Sequence, residues 1–279
     1  MSYKSLLTVL TDTEQARGVL NHLTTLAQEL DAHVEVMCLG VDRTQTGYYY
    51  AGANALILQE TLTRATAEAA EIREFAESIL TRSGIRWSVE EGVAQMADIG
   101  RHVAHRARFA DLVLLPRPYG PNHGTEAEPV VEAAMFEGHA PVIVLPDENT
   151  SPAIPRRVLI GWNESIEAMR AIRLALPFLK TADIARIVAI APPTHGPDRS
   201  DPGGLLSQML ARHGVKCEID VLNKSMTRVS DILNRHADDK EADMIVMGAY
   251  GHSRFREAIL GGATRNMLEV AKVPIFLAH

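Results

Sequence analysis

Four glycines near the C-terminus have the spacing of residues that could cradle an anion. Gly248, Gly251 and Gly261 follow the pattern G-x2-G-x9-G after the apolar run ADMIVM, and Gly262 extends the pattern. A glycine lets a ligand approach the main chain, and a helix N-terminus offers unpaired N–H groups and a positive dipole end. The pattern therefore indicates either a phosphate cradle or a set of ordinary turn glycines.

The residues beside these glycines extend the candidate site. Met247 ends the apolar run, and Ala263 and Thr264 begin a predicted helix that reaches about residue 272. The Thr264 hydroxyl is a hydrogen-bonding group at the start of that helix. The segment is not a Walker A loop, because no Gly-Lys-Ser/Thr follows, and it is not G-x-G-x-x-G.

Other side chains with catalytic or metal-binding potential give weaker patterns. His102 and His105 stand three residues apart on a predicted helix, but no acid or cysteine with ligand spacing accompanies them. We therefore expect a solvated basic face there and no metal site. Phosphoryl transfer needs metal ligands and cationic clamps that the sequence does not offer, so we expect no catalytic residues and at most a very slow ATPase.

The elements that must position these residues occur twice along the chain. ADLVLLP from Ala110 matches ADMIVMG from Ala242, and APVIVLP from Ala140 matches KVPIFLAH from Lys272. The chain is therefore predicted to contain two copies of one unit of about 140 residues.

The joint between the copies is predicted in PDENTSPAIP, residues 146–155, a polar segment with three prolines. Such a composition is typical of a linker. We place the two domains at residues 1–148 and 149–279.

Each copy alternates short β-branched runs with longer helical patterns, which favours a parallel sheet with helices on both faces. In the second copy, Ile166, Met169, Ile172 and Leu176 predict one amphipathic helix. In the first copy, a heptad stripe from Leu58 to Ile79 could pack on its own sheet or form a seam with a partner helix.

Bulk composition limits the classes of function. The net charge of the 279 residues is −7 and no stretch is dominated by lysine or arginine, so we do not expect nucleic-acid binding. No stretch approaches the roughly 20 apolar residues of a membrane helix, and the N-terminus is not a signal peptide. Cys38 and Cys217 are interpreted as reduced residues of a cytoplasmic protein.

The duplication, the strand context and the glycine spacing together resemble the universal stress protein family in its tandem form. The resemblance implies two Rossmann-like domains of the adenine nucleotide alpha hydrolase-like class, each with a five-stranded parallel sheet. It implies binding of ATP or another adenine nucleotide, with Mg²⁺ as a companion of ATP. It also implies packing of the two copies as an intrachain pseudo-dimer, and it leaves homodimerisation open.

The resemblance carries over to individual residues of the second copy. The loop after the first strand usually carries Asp, where this chain has Asn163, and the residue after the third motif glycine is Gly262 instead of Ser or Thr. The residues implied to contact an adenine nucleotide are Gly161, Asn163, Ile190, Met247, Gly248, Gly251, Gly261, Gly262, Ala263 and Thr264.

The first copy departs further from the family pattern. Pro116 and Tyr119 stand opposite Gly248 and Gly251, and no glycine pair follows. We therefore expect a degenerate first copy and a stress-response or regulatory protein that binds one nucleotide through its second copy. The alternative is an interaction or scaffold protein that binds no nucleotide and whose glycines are structural.

Overall fold

The computed structural model describes residues 2–43, 54–120, 123–192, 201–249 and 262–279, with side chains described from residue 59 onward in the second range. The strands are β1 (Ser5–Leu10), β2 (His33–Asp42), β3 (Arg86–Gln95), β4 (Leu112–Pro116), β5 (Val142–Leu145), β6 (Arg157–Trp162), β7 (Ile184–Ile190), β8 (Cys217–Leu222), β9 (Met244–Gly248) and β10 (Ile275–Ala278). The helices are α1 (Ala16–Leu30), α2 (Asn54–Leu80), α3 (Ile99–Ala107), α4 (Ala127–Glu132), α5 (Ile166–Leu174), α6 (Leu176–Thr181), α7 (Gly204–Arg212), α8 (Val229–Asp239) and α9 (Ala263–Val270).

The chain divides into two compact units. The first contains Tyr3–Ala140, and the second contains Pro141–His279. The strand order is β3-β2-β1-β4 in the first unit and β5-β10-β9-β6-β7-β8 in the second. The predicted α/β class with tandem Rossmann-like domains is confirmed, whereas the domain boundary after residue 148 stays a prediction.

Strand β5 has a role that the repeat pattern did not predict. It comes from the first sequence copy but lies in the second unit, where Val144 pairs with Ile275 in an antiparallel ladder. The other paired strands of the second unit run parallel, with Ile275 of β10 also opposite Ile245 of β9. The last strands of the two copies therefore meet within one unit.

The repeated Ala-Asp dipeptide has the same structural use in both units. The Asp111 carboxylate accepts hydrogen bonds from the N–H groups of Lys4 and Ser5 at 2.7 and 3.0 Å. The Asp243 carboxylate accepts hydrogen bonds from the N–H groups of Arg156 and Arg157. Each aspartate thus ties the start of the first strand of its copy to the start of the fourth, which explains why the dipeptide recurs.

Helix α2 packs on its own sheet, where it contacts β2 and β3. Its stripe of small residues, including Ala65 and Ala69, is buried. A Cβ atom added to Gly40 would lie 1.8 Å from the Ala65 carbonyl oxygen, so the glycine of β2 is what allows this close approach.

The predicted amphipathic helix at residues 166–176 is wrong in two respects. Ile166 is 83% exposed, and the buried face is formed by Ala168, Ala171 and Ile172. The helix also ends at Leu174, and α6 begins at Leu176. Pro177 explains the break, because proline lacks an N–H group and its ring clashes with a carbonyl one turn earlier.

Every helix in the described ranges is too short or too polar to span a bilayer. Within the described ranges, no group of three or more His, Cys, Asp or Glu side chains is arranged so that it could hold a metal ion. His105 makes an edge-to-face contact with Phe109, with the ring centroids 6.1 Å apart.

Candidate functional site

Three neighbouring strands of the second unit bring half of the predicted residues to one edge. Strands β9, β6 and β7 are adjacent and parallel, so their carboxyl ends lie together. Gly161 pairs directly with Met247, and Gly248 follows it as the last residue of β9. Ile190 ends β7 at the same edge.

Asn163 leads from β6 into α5 through a tight turn. Its Oδ1 accepts a hydrogen bond from the Ser165 N–H at 3.2 Å. The Ser165 Oγ in turn accepts from the Ala168 N–H at 3.1 Å and caps α5. The Asn163 oxygen therefore organises the turn, and its side-chain amide group remains a hydrogen-bond donor at an exposed position.

Ser165 is a residue that the sequence analysis missed. It places the N-terminus of α5 directly after the carboxyl end of β6. A serine immediately before an apolar helical pattern is a typical N-cap, so the signal was present in the sequence.

Close packing against α5 requires glycine at position 248. A Cβ atom at this position would lie 2.4 Å from the Ala168 nitrogen and 2.6 Å from the Glu167 carbonyl carbon. The first turn of α5 therefore lies directly against the end of β9. At Gly161 an added Cβ would approach no atom closer than the Met247 Cβ at 3.4 Å, which is an ordinary contact.

Helix α9 begins at three of the predicted residues, Gly262, Ala263 and Thr264. Gly262 precedes it in an extended conformation, and Ala263 is its first residue. The first N–H groups of any helix have no partner within the helix, so the start of α9 offers donors and a positive dipole end. The Thr264 side chain is only 3% exposed, so it faces the interior.

The C-terminus of the chain fixes the start of the segment between β9 and α9. The Ala249 N–H donates to the Ala278 carbonyl oxygen at 2.9 Å. The Ala249 carbonyl oxygen lies 3.0 Å from Nδ1 of His279. Gly251 and Gly261 of the predicted motif lie outside the described residues.

The corresponding positions of the first unit are arranged differently. Pro116 is the last residue of β4, and the Tyr119 hydroxyl donates to Glu128 Oε1 at 2.6 Å. Tyr119 stands at the sequence position that Gly251 occupies in the second copy. A backbone cradle like that predicted for the second unit has no counterpart among these residues.

A comparison with known protein families finds a match in the second half of the chain. The sequence model of the Universal stress protein family matches residues 155–279. The second half of the chain is therefore similar to the universal stress protein family. A universal stress protein of Synechocystis sp. is 24% identical over 120 residues, which is 43% of this chain and 41% of that protein. The match thus spans about two fifths of the relative's length.

Solved structures extend the similarity of fold to the whole chain. A universal stress protein from Archaeoglobus fulgidus DSM 4304 has a TM-score of 0.75 at 15% identity, over 98% of this chain and 95% of that one. A candidate member of the family from Pseudomonas aeruginosa UCBPP-PA14 has a TM-score of 0.60 at 13% identity, over 99% and 93% of the two chains. At these identities the similarity concerns the fold alone.

Proposed function

We propose that this protein is a universal stress protein that binds one adenine nucleotide, such as ATP, through its second unit, and acts in a stress response or in regulation with little or no turnover. The supporting observation is that β9, β6 and β7 are neighbouring parallel strands whose carboxyl ends form one edge, and that α9 follows β9 in the same unit.

The donors around this edge suit phosphates better than metal ions. The start of α9 supplies backbone N–H groups, Asn163 supplies an amide, and Gly262 supplies no hydroxyl. A Mg²⁺ ion would therefore enter with ATP and be held mainly by its phosphates. Because Asn163 also lacks the charge of an aspartate, we propose a moderate affinity.

The second candidate function is that of an interaction protein that binds no nucleotide. The packing of α5 against Gly248 favours it, because that contact alone is enough to require glycine there. The Asn163 oxygen is likewise used by the turn. These two residues therefore do not by themselves require a ligand, and the distinction depends on Gly251 and the Gly261–Gly262 pair.

A substitution at Gly251 separates the two functions. We expect Gly251→Val to abolish ATP binding in calorimetry, because the side chain would occupy the approach to the backbone N–H groups. Gly18→Val is the matched control, since a Cβ at Gly18 on α1 meets nothing within 4 Å. Unchanged ATP affinity in Gly251→Val would show that the glycine cradle is misassigned, and absence of ATP binding by the unaltered chain would favour the interaction protein.

We also propose a cytoplasmic location, where thiols stay reduced. Burial raises the pKa of the Cys38 thiol to about 12, and both Cys38 and Cys217 are free thiols.

A further inference from the structure

The first unit contains a cleft of its own at the carboxyl ends of β1 and β2, which we call the Arg43 cleft. It has a volume of about 340 Å³ and contains one arginine among five acidic side chains. These side chains belong to Arg43, Asp12, Glu14, Glu68, Glu71 and Glu126. The cleft therefore has the opposite charge from a site for nucleotide phosphates.

The guanidinium of Arg43 makes contacts through all three of its nitrogens. Nε and Nη2 donate to the two carboxylate oxygens of Glu126, the former at 3.4 Å. Nη1 donates to Glu68 Oε2 at 3.0 Å and to the Val41 carbonyl oxygen at 3.4 Å. Such a two-pronged pairing with a carboxylate is the geometry that distinguishes a guanidinium from an ammonium group.

The buried Glu126 carboxylate requires a cationic partner. Its side chain is 2% exposed, and a carboxylate so deeply buried is costly unless it is paired. Gly124 makes room for it, because a Cβ atom on Gly124 would lie 2.4 Å from each Glu126 carboxylate oxygen. The Arg43 side chain is 41% exposed, so solvent reaches the guanidinium from the cleft.

We propose that the Arg43 cleft is a guanidinium site whose resident occupant is the chain's own Arg43. Its buried carboxylate and the fork of contacts select a planar cation, and its surrounding carboxylates repel phosphates. The preference of the Arg43 cleft is thus opposite to the one proposed for the second unit. This inference does not depend on nucleotide binding by the second unit, and its test uses no nucleotide.

Chemical rescue of an Arg43→Ala full-length chain tests the site. In a Trp162→Phe background, Trp87 of β3 is the remaining tryptophan and reports unfolding of the first unit. We expect Arg43→Ala to lower the unfolding midpoint by roughly 10 °C, because Glu126 loses its partner. Millimolar methylguanidinium should restore much of that loss, and pyrophosphate should not.

Arg64→Ala is the matched control. Arg64 also contacts Glu68, at 3.1 Å, but its side chain is 81% exposed. We expect a small shift of the midpoint and no response to methylguanidinium. If Arg43→Ala does not fold, the double variant Arg43→Ala with Glu126→Gln should fold, because it removes both charges, and it should not respond to methylguanidinium.

Four results would overturn the proposal: a midpoint of Arg43→Ala equal to that of the parent, a lowered midpoint that methylguanidinium does not restore, rescue by pyrophosphate in place of methylguanidinium, or equal rescue of Arg43→Ala and Arg64→Ala. A double variant that remains unfolded would also contradict it, since the ion pair would then not be the source of the defect.

Discussion

Gly248 illustrates how one residue can satisfy a binding motif and a packing requirement together. The motif predicts that this glycine lets a ligand approach the backbone, whereas the structure gives it a close contact with the first turn of α5. Both requirements lead to glycine. The packing requirement can be tested by itself, because its loss should lower the free energy of unfolding of the second unit.

We predict that Gly248→Ala destabilises the second unit by about 3 kcal/mol, because its Cβ would overlap backbone atoms that cannot rotate away. Gly161→Ala is the control on the neighbouring strand, where the added Cβ meets ordinary contacts, and should cost less than about 1 kcal/mol. Urea unfolding followed through Trp162, in a Trp87→Phe background, measures both. Equal losses in the two variants would show that the predicted overlap is relieved.

A second prediction at this scale concerns His22 on α1. Burial lowers the pKa of its imidazole to about 4, from an ordinary 6.5. The unfolded chain takes up this proton first as the pH falls, so the stability contribution is present above pH 6.5 and is lost toward pH 4. Between pH 6.5 and pH 5, the free energy of unfolding should fall by about 2 kcal/mol more in the parent than in His22→Leu. Parallel pH profiles of the two proteins, measured by urea unfolding, would contradict this assignment.

At the scale of elements, β5 completes the sheet of the second unit. It covers the edge of β10 through an antiparallel ladder, although it precedes the predicted linker. A strand edge without a partner exposes a row of N–H and C=O groups and tends to pair with another chain.

We therefore predict different behaviour for two fragments. A chain of residues 141–279 keeps the ladder between β5 and β10 and should retain the stability of the second unit. A chain of residues 149–279 exposes β10, and should self-associate and unfold at a lower temperature. Light scattering and thermal unfolding measure the two properties, and a monomeric 149–279 fragment of equal stability would show that β5 is dispensable.

The sequence predicted the elements better than their contacts. Continuous apolar strands and repeated Ala-Asp dipeptides were sufficient to predict two parallel α/β copies, because local patterns determine element type. The break at Pro177, the exposure of Ile166 and the antiparallel position of β5 depend on which elements meet. For the same reason the sequence indicated that Asn163 and Gly248 follow neighbouring strands, but it did not reveal that both contact the start of α5.

At the scale of the whole molecule, the asymmetry between the two units leads to a prediction of stoichiometry. Equilibrium titration should find at most one ATP per chain, with a dissociation constant of about 1 μM or weaker, a binding free energy of roughly −8 kcal/mol. Two equivalent sites would contradict the asymmetry. Magnesium-dependent turnover of ATP at several per second would contradict a non-enzymatic role.

The position of β5 also has a consequence for biosynthesis. The first unit has all its residues once Ala140 has been made, whereas the β5 edge that receives β10 must wait for Ile275–Ala278. At ordinary rates of translation this interval lasts roughly 7–28 s. During that time an entirely apolar strand, VIVL, has one unprotected edge. Nascent chains of this protein are therefore exposed to mispairing with one another on a crowded polysome, and chaperones that bind extended apolar segments would protect them.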